Sequence, residues 1–563
     1  MHSSKPFLIS TAFFIFAAIF IVRLGTEPPS KTVLAQTNPI HTLGSETVPT
    51  RTPTPLPPIL SPPASTLFTH LPIIMTEGSS ASVATIDLVS GGQSATGFLL
   101  TPLDIRFDNS TWPGNPFDLI AVVTFTHQGS NNTRQTEMYY NGSNEWRARF
   151  TADQTGVWTY TTQSSDSELS GISGSITIAD SDAVGFVVAD GVKWSRSGSG
   201  QAFVPQYAMA AELDRFYNNN SKLSSDLDLF ISGHGFNGFH IRGYCHWFEL
   251  GNDRCSNISA ENRDPDIRTF EVVESIIYET YTRGGSTHIW MYGDNSRKQN
   301  PTDWGLNGTI DQRMQRYLAA RLGALPGWSI GYGYDVFEWA VQDQIETWYA
   351  YLNDRMMYPH LTGARGNKNV ISQYTEILSY SAYEQHNPDY NWYVTAITDR
   401  PTKPSFSEDR FRIDQAFAAK DYTEEETRRG MWHSAMAGGI ANIWGNMQFD
   451  EGGSYQEGSR AYPNQAELKI YSDFITPRFN SSLERCNDLT NGTCLKNSSN
   501  TQFIFYRENT SSISLNLSGM SGSQPFVAIN TISGAQITGT FQPGQQTWNA
   551  PTTSDWAIAI GER

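Results

Sequence analysis

Basic residues are scarce in this chain. Lys and Arg number 39 against 56 Asp and Glu, a net charge of −17. A nucleic-acid backbone asks for a basic surface, so that partner class is excluded. Several motifs are also missing. There is no C-x-x-C pair and no Cys/His cluster, which argues against a structural zinc site. No H-E-x-x-H or G-x-S-x-G stretch supports a protease. No Gly-rich phosphate loop follows the first strand of the α/β region, against a doubly wound nucleotide-binding sheet. The chemistry expected below needs no metal and no cofactor. What the chain does have is aromatic: 12% of its 563 residues are Phe, Trp or Tyr. Most single aromatics are core residues. An acidic chain rich in Trp and Tyr nevertheless suits neutral ligands such as sugars, whose C–H faces stack on rings.

Only four cysteines occur, as two close pairs: Cys245 with Cys255, and Cys486 with Cys494. Three connectivities are open, and the spacing favours two local disulfides in an oxidising compartment. Residues 1–27 carry the apolar run FLISTAFFIFAAIFIV between Lys5 and Arg23. At sixteen residues it is short for a membrane span and fits a signal-peptide core. Cleavage after Ala35 and an uncleaved membrane tether are the two alternatives, and either implies export. Residues 28–77 include TPTPLPPILSPP, the composition of an extended spacer.

Residues 78–182 read as a β-sandwich of immunoglobulin-like type. DLIAVVTFTH, NEWRARF and GVWTYTTQS alternate with period two between polar turns. In NEWRARF the pleat puts Trp146, Ala148 and Phe150 on one face and Arg147 and Arg149 on the other. Residues 183–485 change pattern. Short apolar strands alternate with helical stretches such as FEVVESIIYETYTRGG and DQRMQRYLAARLGALPG, and Thr423 with Glu426 forms a capping box. About eight such units predict a (β/α)8 barrel. Residues 486–563 return to β and predict a second small β-sandwich.

In such a barrel the site lies at the C-terminal ends of the strands. The second strand ends at Arg242, followed by His246; the third carries Trp290 and ends at Asp294. The fourth ends at Asp335, with Glu338 three residues on. The sixth ends at Glu384 and His386, and the eighth carries Trp444. The seventh, KPSFSEDRFRI, ends on a carboxylate pair. Alternation sends Phe406 and Glu408 to one side and Ser405 and Ser407 to the other, so Glu408 emerges as the strand stops and Asp409 starts the loop. Two carboxylates on opposite sides of a barrel mouth suit glycosidic bond cleavage, one as acid and one ionised. Arg242 is placed to hold the ionised one.

Several stretches resemble a known family. GFNGFHIRG, KPSFSEDRF and RRGMWHSAMAGGIANIWGN are similar to secreted bacterial clan A glycoside hydrolases, in particular the apiosidase-like group with DUF4038-type barrels. The stretch from TFTHQGS to TYTTQSS resembles the DUF5060-type immunoglobulin-like domain that precedes such barrels. The segment from FIFYRE to DWAIAIGER resembles the collagen-binding-type β-domain that follows them. The resemblance implies a retaining hydrolase with a carbohydrate substrate, Glu408 as nucleophile, Asp335 as acid/base with Glu338 its rival, and Trp444 as a sugar platform. One departure stands out: most clan members end the fourth strand with Asn-Glu, where this chain has Tyr334-Asp335. A non-catalytic surface glycan-binding protein on a degenerate barrel is therefore the competing expectation. A collagen-binding protein or protease is a weaker third.

Overall fold

The structure, a computed structural model, describes residues 86–209, 213–367, 374, 376–385, 389–413, 421–445, 447–449, 455–457 and 461–561. The apolar run 7–22, the Pro-rich spacer and His386 lie outside the described residues. Among the described residues no helix is long and apolar enough to cross a membrane.

Eight parallel strands form the central sheet: β1 Gln206–Met209, β2 Gly238–Arg242, β3 Ser286–Tyr292, β4 Trp328–Gly333, β5 Thr362–Gly363, β6 Ser381–Tyr383, β7 Ser405–Ile413 and β8 Ala441–Gly445. Their order is β5-β4-β3-β2-β1-β8-β7-β6. At the seam between β5 and β6, the Ser379 and Tyr380 N–H groups donate to the Thr362 carbonyl at 2.9 and 3.3 Å. The result is a nearly closed (β/α)8 barrel. The connecting helices are α1 Asn220–Leu227, α2 Ile267–Thr282, α3 Thr309–Leu322, α4 Gln342–Met356, α5 Tyr390–Asp399, α6 Glu424–Met436 and α7 Gln465–Ile475. Among the described residues no helix joins β5 to β6. The helices obey their sequence signals. Thr423 and Glu426 cap α6 reciprocally, at 3.1 and 2.8 Å. Phe270, Val273, Ile276 and Ile277, at helical spacing, bury one face of α2.

The N-terminal end of the barrel is plugged. A hairpin, Val187–Asp190 with Lys193–Arg196, places the fully buried Trp194 against Tyr380 and Phe406. Its indole N–H donates to the Ser405 carbonyl at 3.2 Å.

Residues 87–179 form two packed sheets, of four and five strands. Trp146, Ala148 and Phe150 enter the sandwich core, as the pleat requires. The opposite face is covered as well, because it packs on the barrel. Arg149, 1% exposed, donates to Asp104 at 2.7 and 2.9 Å, to Glu274 on α2 at 2.7 Å, and to the Arg321 carbonyl on α3 at 2.6 Å. Arg321 in turn chelates Glu274 at 2.8 and 2.9 Å. Two cations and two anions thus neutralise one another at the junction.

The C-terminal region is one six-stranded antiparallel sheet, starting at Glu484–Arg485. Its two longest strands, Phe503–Asn516 and Gln545–Ile560, carry register shifts near Arg507–Ser512. Trp548 and Trp556 are eight residues apart, about 26 Å in an extended strand. Their rings lie 5.1 Å apart, so the strand folds back and one sheet encloses its own core. It docks on α6, where Trp432 stacks on Tyr506 at 5.0 Å and Arg428 and Arg429 both donate to Asp555.

The junction has a pH signature. Burial pushes the Glu274 carboxyl up, but the Arg149 and Arg321 charges outweigh it and hold it at about 2. A depressed folded value gives stability that is present above the unfolded value of about 4.3 and lost as pH falls through about 2. Glu274→Gln should flatten stability against pH in that window. At neutral pH it should cost about 3–5 kcal/mol in urea denaturation, because two buried guanidinium groups lose their partner.

Candidate active site

The site starts from an irregularity in β7. Along β8 the partners Asn442 and Ile443 are adjacent, yet on β7 they pair with Ser407 and Arg410. Glu408 and Asp409 are therefore extra residues in a β-bulge, a device that re-aims a side chain. The strand does not stop there, as the sequence suggests; it runs on to Ile413 and pairs with Asp421–Tyr422. Alternation holds up to the bulge. The Ser405 hydroxyl donates outward to the Ala396 carbonyl on α5, whereas Phe406 packs inside the barrel. Glu408 follows Phe406 inward and is fully buried.

Its two carboxylate oxygens differ. Oε1 accepts from the Tyr380 hydroxyl and lies 3.1 Å from His288 Nε2. Oε2 has no hydrogen-bond partner among the described residues. Burial, then the Glu408 charge, pushes the Tyr380 hydroxyl well above its usual range, so it stays protonated and donates. Burial lowers His288, against the opposing hydrogen bond and charge of Glu408. Behind it, His288 Nδ1 meets His240 Nδ1 at 2.9 Å. Glycines make the room. A Cβ on Gly331 of β4 would sit 2.9 Å from Glu408 Oε1 and 3.1 Å from the Tyr380 oxygen. A Cβ on Gly363 of β5 would run into the Tyr380 ring at 2.1 Å.

Above this floor sits Arg365, two residues past β5 and 2% exposed. The bulge removes the Glu408 carbonyl from the β8 ladder, and Arg365 Nη1 donates to it at 2.9 Å. Its Nη2 donates to Asp335 Oδ1 and lies 3.7 Å from Glu384 Oε2. The guanidinium stands 5.3 Å from the Tyr334 ring and 5.7 Å from Trp290, rings that are themselves 4.9 Å apart. Asp335 has left-handed backbone, φ 51° and ψ 32°, a conformation that Asp adopts more readily than most residues. Glu338, in the short turn that follows, is exposed. Partial desolvation, then the negative charges of Asp335, Asp294 and Glu384, raise its carboxyl.

Of the residues expected from sequence, Glu408, Asp335, Glu384 and Trp290 converge around Arg365, and Glu338 and Asp294 lie within electrostatic reach. Three others are placed elsewhere. Trp444 is buried against α6, where its ring meets Gly430, and donates to Gln206 at 2.6 Å, which does not fit a sugar platform. His246 is buried in the loop tied by the Cys245–Cys255 disulfide and accepts from the Gly251 N–H at 3.0 Å. Arg242 lies over the Tyr244 ring at 5.5 Å, and Arg365 donates to the Glu408 main-chain carbonyl. The second bridge joins Cys486 and Cys494. Tyr380, His288, His240 and Arg365 were missed. Among the described residues no group of three or more His, Cys, Asp or Glu side chains could hold a metal ion.

Residues 101–165, within the N-terminal sandwich, match the family described as "Domain of unknown function (DUF5060)". No curated protein sequence matches the chain. Solved structures do. A candidate glycoside hydrolase from Bacteroides vulgatus superposes with a TM-score of 0.69 at 15% identity, covering 83% of this chain and 100% of its own. A glycoside hydrolase family 5 protein from the same organism gives 0.52 at 12% identity, over 67% of this chain and 93% of its own. A structure described as a glycoside hydrolase gives 0.51 at 12%, over 67% and 97%. At these identities the likeness is one of fold: this chain has the barrel architecture found in those proteins.

The glycine positions are testable. Gly331→Ala should destabilise the protein by about 1–3 kcal/mol, the usual cost of overpacking, and Gly363→Ala by more because a ring cannot yield. Gly522→Ala, with nothing within 4 Å of its Cβ, should change stability by less than about 1 kcal/mol. Urea titration of the three variants compares them directly.

Proposed function

We propose that this protein is an exported glycoside hydrolase that cleaves glycosidic bonds with retention of configuration. One observation carries the reading. A bulge turns the Glu408 side chain into the barrel, with one oxygen hydrogen-bonded and the other without a partner among the described residues, and Arg365 joins the Glu408 carbonyl to Asp335 of the β4 loop. Retaining hydrolysis uses such a pair. One carboxylate attacks the anomeric carbon while the other protonates the leaving oxygen, then activates water. Glu408 is the nucleophile in this scheme.

The acid/base comes from the β4 loop, and the electrostatics favour Glu338 over Asp335. A general acid must hold its proton at working pH. Asp335 is engaged by Arg365, whereas the raised Glu338 carboxyl stands exposed at the rim among other negative charges. Asp335 then serves with Arg365 to hold the loop against β7. Trp290 and Tyr334 pack beside the Arg365 guanidinium and help hold it in place. Two disulfides are compatible with an extracellular location. The barrel fold shared with glycoside hydrolases supports a carbohydrate substrate by analogy.

The complete burial of Glu408 favours a second reading, a glycan-binding protein that no longer turns over. A panel of glycans and aryl glycosides separates the two. In the enzyme, Glu408→Gln lowers kcat by at least about 10⁴-fold with binding retained. Glu338→Gln abolishes the alkaline fall of kcat/KM, because that limb reports loss of the acid's proton. If Asp335→Asn removes that limb instead, the acid/base is Asp335. If the wild type binds a glycan and turns over none, the binding reading stands.

A further inference from the structure

His240 and His288 form a pair whose proton positions are set by geometry. Both are fully buried, with rings 5.1 Å apart and inclined by 23°. Their Nδ1 atoms lie 2.9 Å apart, so one of the two carries a proton and the other accepts it. His288 Nε2 lies 3.0 Å from the Tyr380 oxygen, whose single proton goes to Glu408 Oε1, and 3.1 Å from that Oε1, and an ionised carboxylate only accepts. Nε2 of His288 therefore carries a proton. Burial disfavours a second proton on this ring, which leaves its Nδ1 bare and assigns the shared proton to His240. The titratable groups facing His288 are Glu408 on β7, Tyr380 ahead of β6, His240 on β2 and Tyr207 on β1. None of them is a cation that competes for the carboxylate.

We propose that His288, held in one tautomer by His240, is a positioning residue that fixes Glu408 and makes Oε2 the attacking oxygen. The inference rests on Glu408 being the nucleophile. Tyr380 O–H donates to Oε1, and His288 Nε2–H donates to the Tyr380 oxygen at 3.0 Å while standing 3.1 Å from Oε1, so Oε1 is occupied while Oε2 has no hydrogen-bond partner among the described residues. In the first step the Oε2–anomeric carbon bond forms and the glycosidic C–O bond breaks. The leaving oxygen takes the bonding pair and the proton of the general acid. Water then displaces Oε2 from the same carbon, giving its proton back to that acid. His288 exchanges no proton in either step. It stabilises the free carboxylate more than the ester, and it keeps the carboxylate from exchanging Oε1 and Oε2.

Two measurements test this. Side-chain ¹⁵N spectra of histidine-labelled full-length protein, assigned with His288→Gln and His240→Gln, should show His288 neutral and protonated at Nε2 from about pH 7 to 8. A proton on His288 Nδ1, or titration within that range, overturns the proposal. In kinetics, His288→Leu should lower kcat/KM by about 10- to 100-fold, the worth of one hydrogen bond to a charged group. It should also move the acid limb of the pH profile to higher pH, since the free carboxylate has lost a donor. His288→Gln, which keeps an N–H donor, should restore most of both. A slow His288→Leu enzyme with an unmoved acid limb contradicts the proposal and leaves Glu408 as nucleophile untouched. A Glu408→Gln enzyme with wild-type turnover removes the nucleophile reading and this inference with it.

Discussion

The arrangement depends on one costly choice: a carboxylate placed in the dry interior of a barrel. An ionised side chain withdrawn from water loses several kcal/mol unless other groups replace its hydration. Here the replacement is partial. Tyr380 and His288 serve one oxygen of Glu408, Arg365 serves its main-chain carbonyl, and the second oxygen is left without a partner among the described residues. Much of the surroundings follows from this. The bulge aims the side chain, Gly331 and Gly363 clear its volume, and Trp194 closes the barrel beneath it. A fold gains no stability from a half-satisfied buried charge, so its presence argues for chemistry at that point.

Arg365 links this floor to the rim. One guanidinium touches the backbone of the β7 bulge and the side chain of Asp335, and it stands near Glu384 and two aromatic rings. Elements distant in sequence are thereby fixed relative to one another. The left-handed backbone of Asp335 belongs to the same device, because the turn that presents Glu338 starts from it. Elsewhere charge is handled differently. At the sandwich junction Arg149, Arg321, Asp104 and Glu274 cancel in sign and satisfy one another, which suits a joint rather than a site.

The architecture was legible because period and punctuation carry it. The alternation of strand and helical stretches gave the barrel, and the pleat of NEWRARF and SFSE gave the correct facing residues. The carboxylate of β7 was legible for the same reason, since Phe406 and Glu408 share a face. What surrounds it was not. Tyr380, His288 and His240 sit inside short apolar strands, where a polar residue reads as a satisfied core residue. Arg365 follows a two-residue strand that periodicity cannot resolve. Arg242 was favoured in its place because it ends a well-patterned strand, and Trp444 because a tryptophan on a last strand fits either face. Pattern marks the face of a residue; only packing shows its partner.

The most direct test of the central claim is covalent. Incubating the protein with a set of activated 2-deoxy-2-fluoro glycosides and mapping the labelled peptide by mass spectrometry locates the attacking group. The account predicts one sugar attached to the peptide that contains Glu408, with no labelling of Glu408→Gln. Turnover of the parent glycosides with a label on a different carboxylate would contradict it.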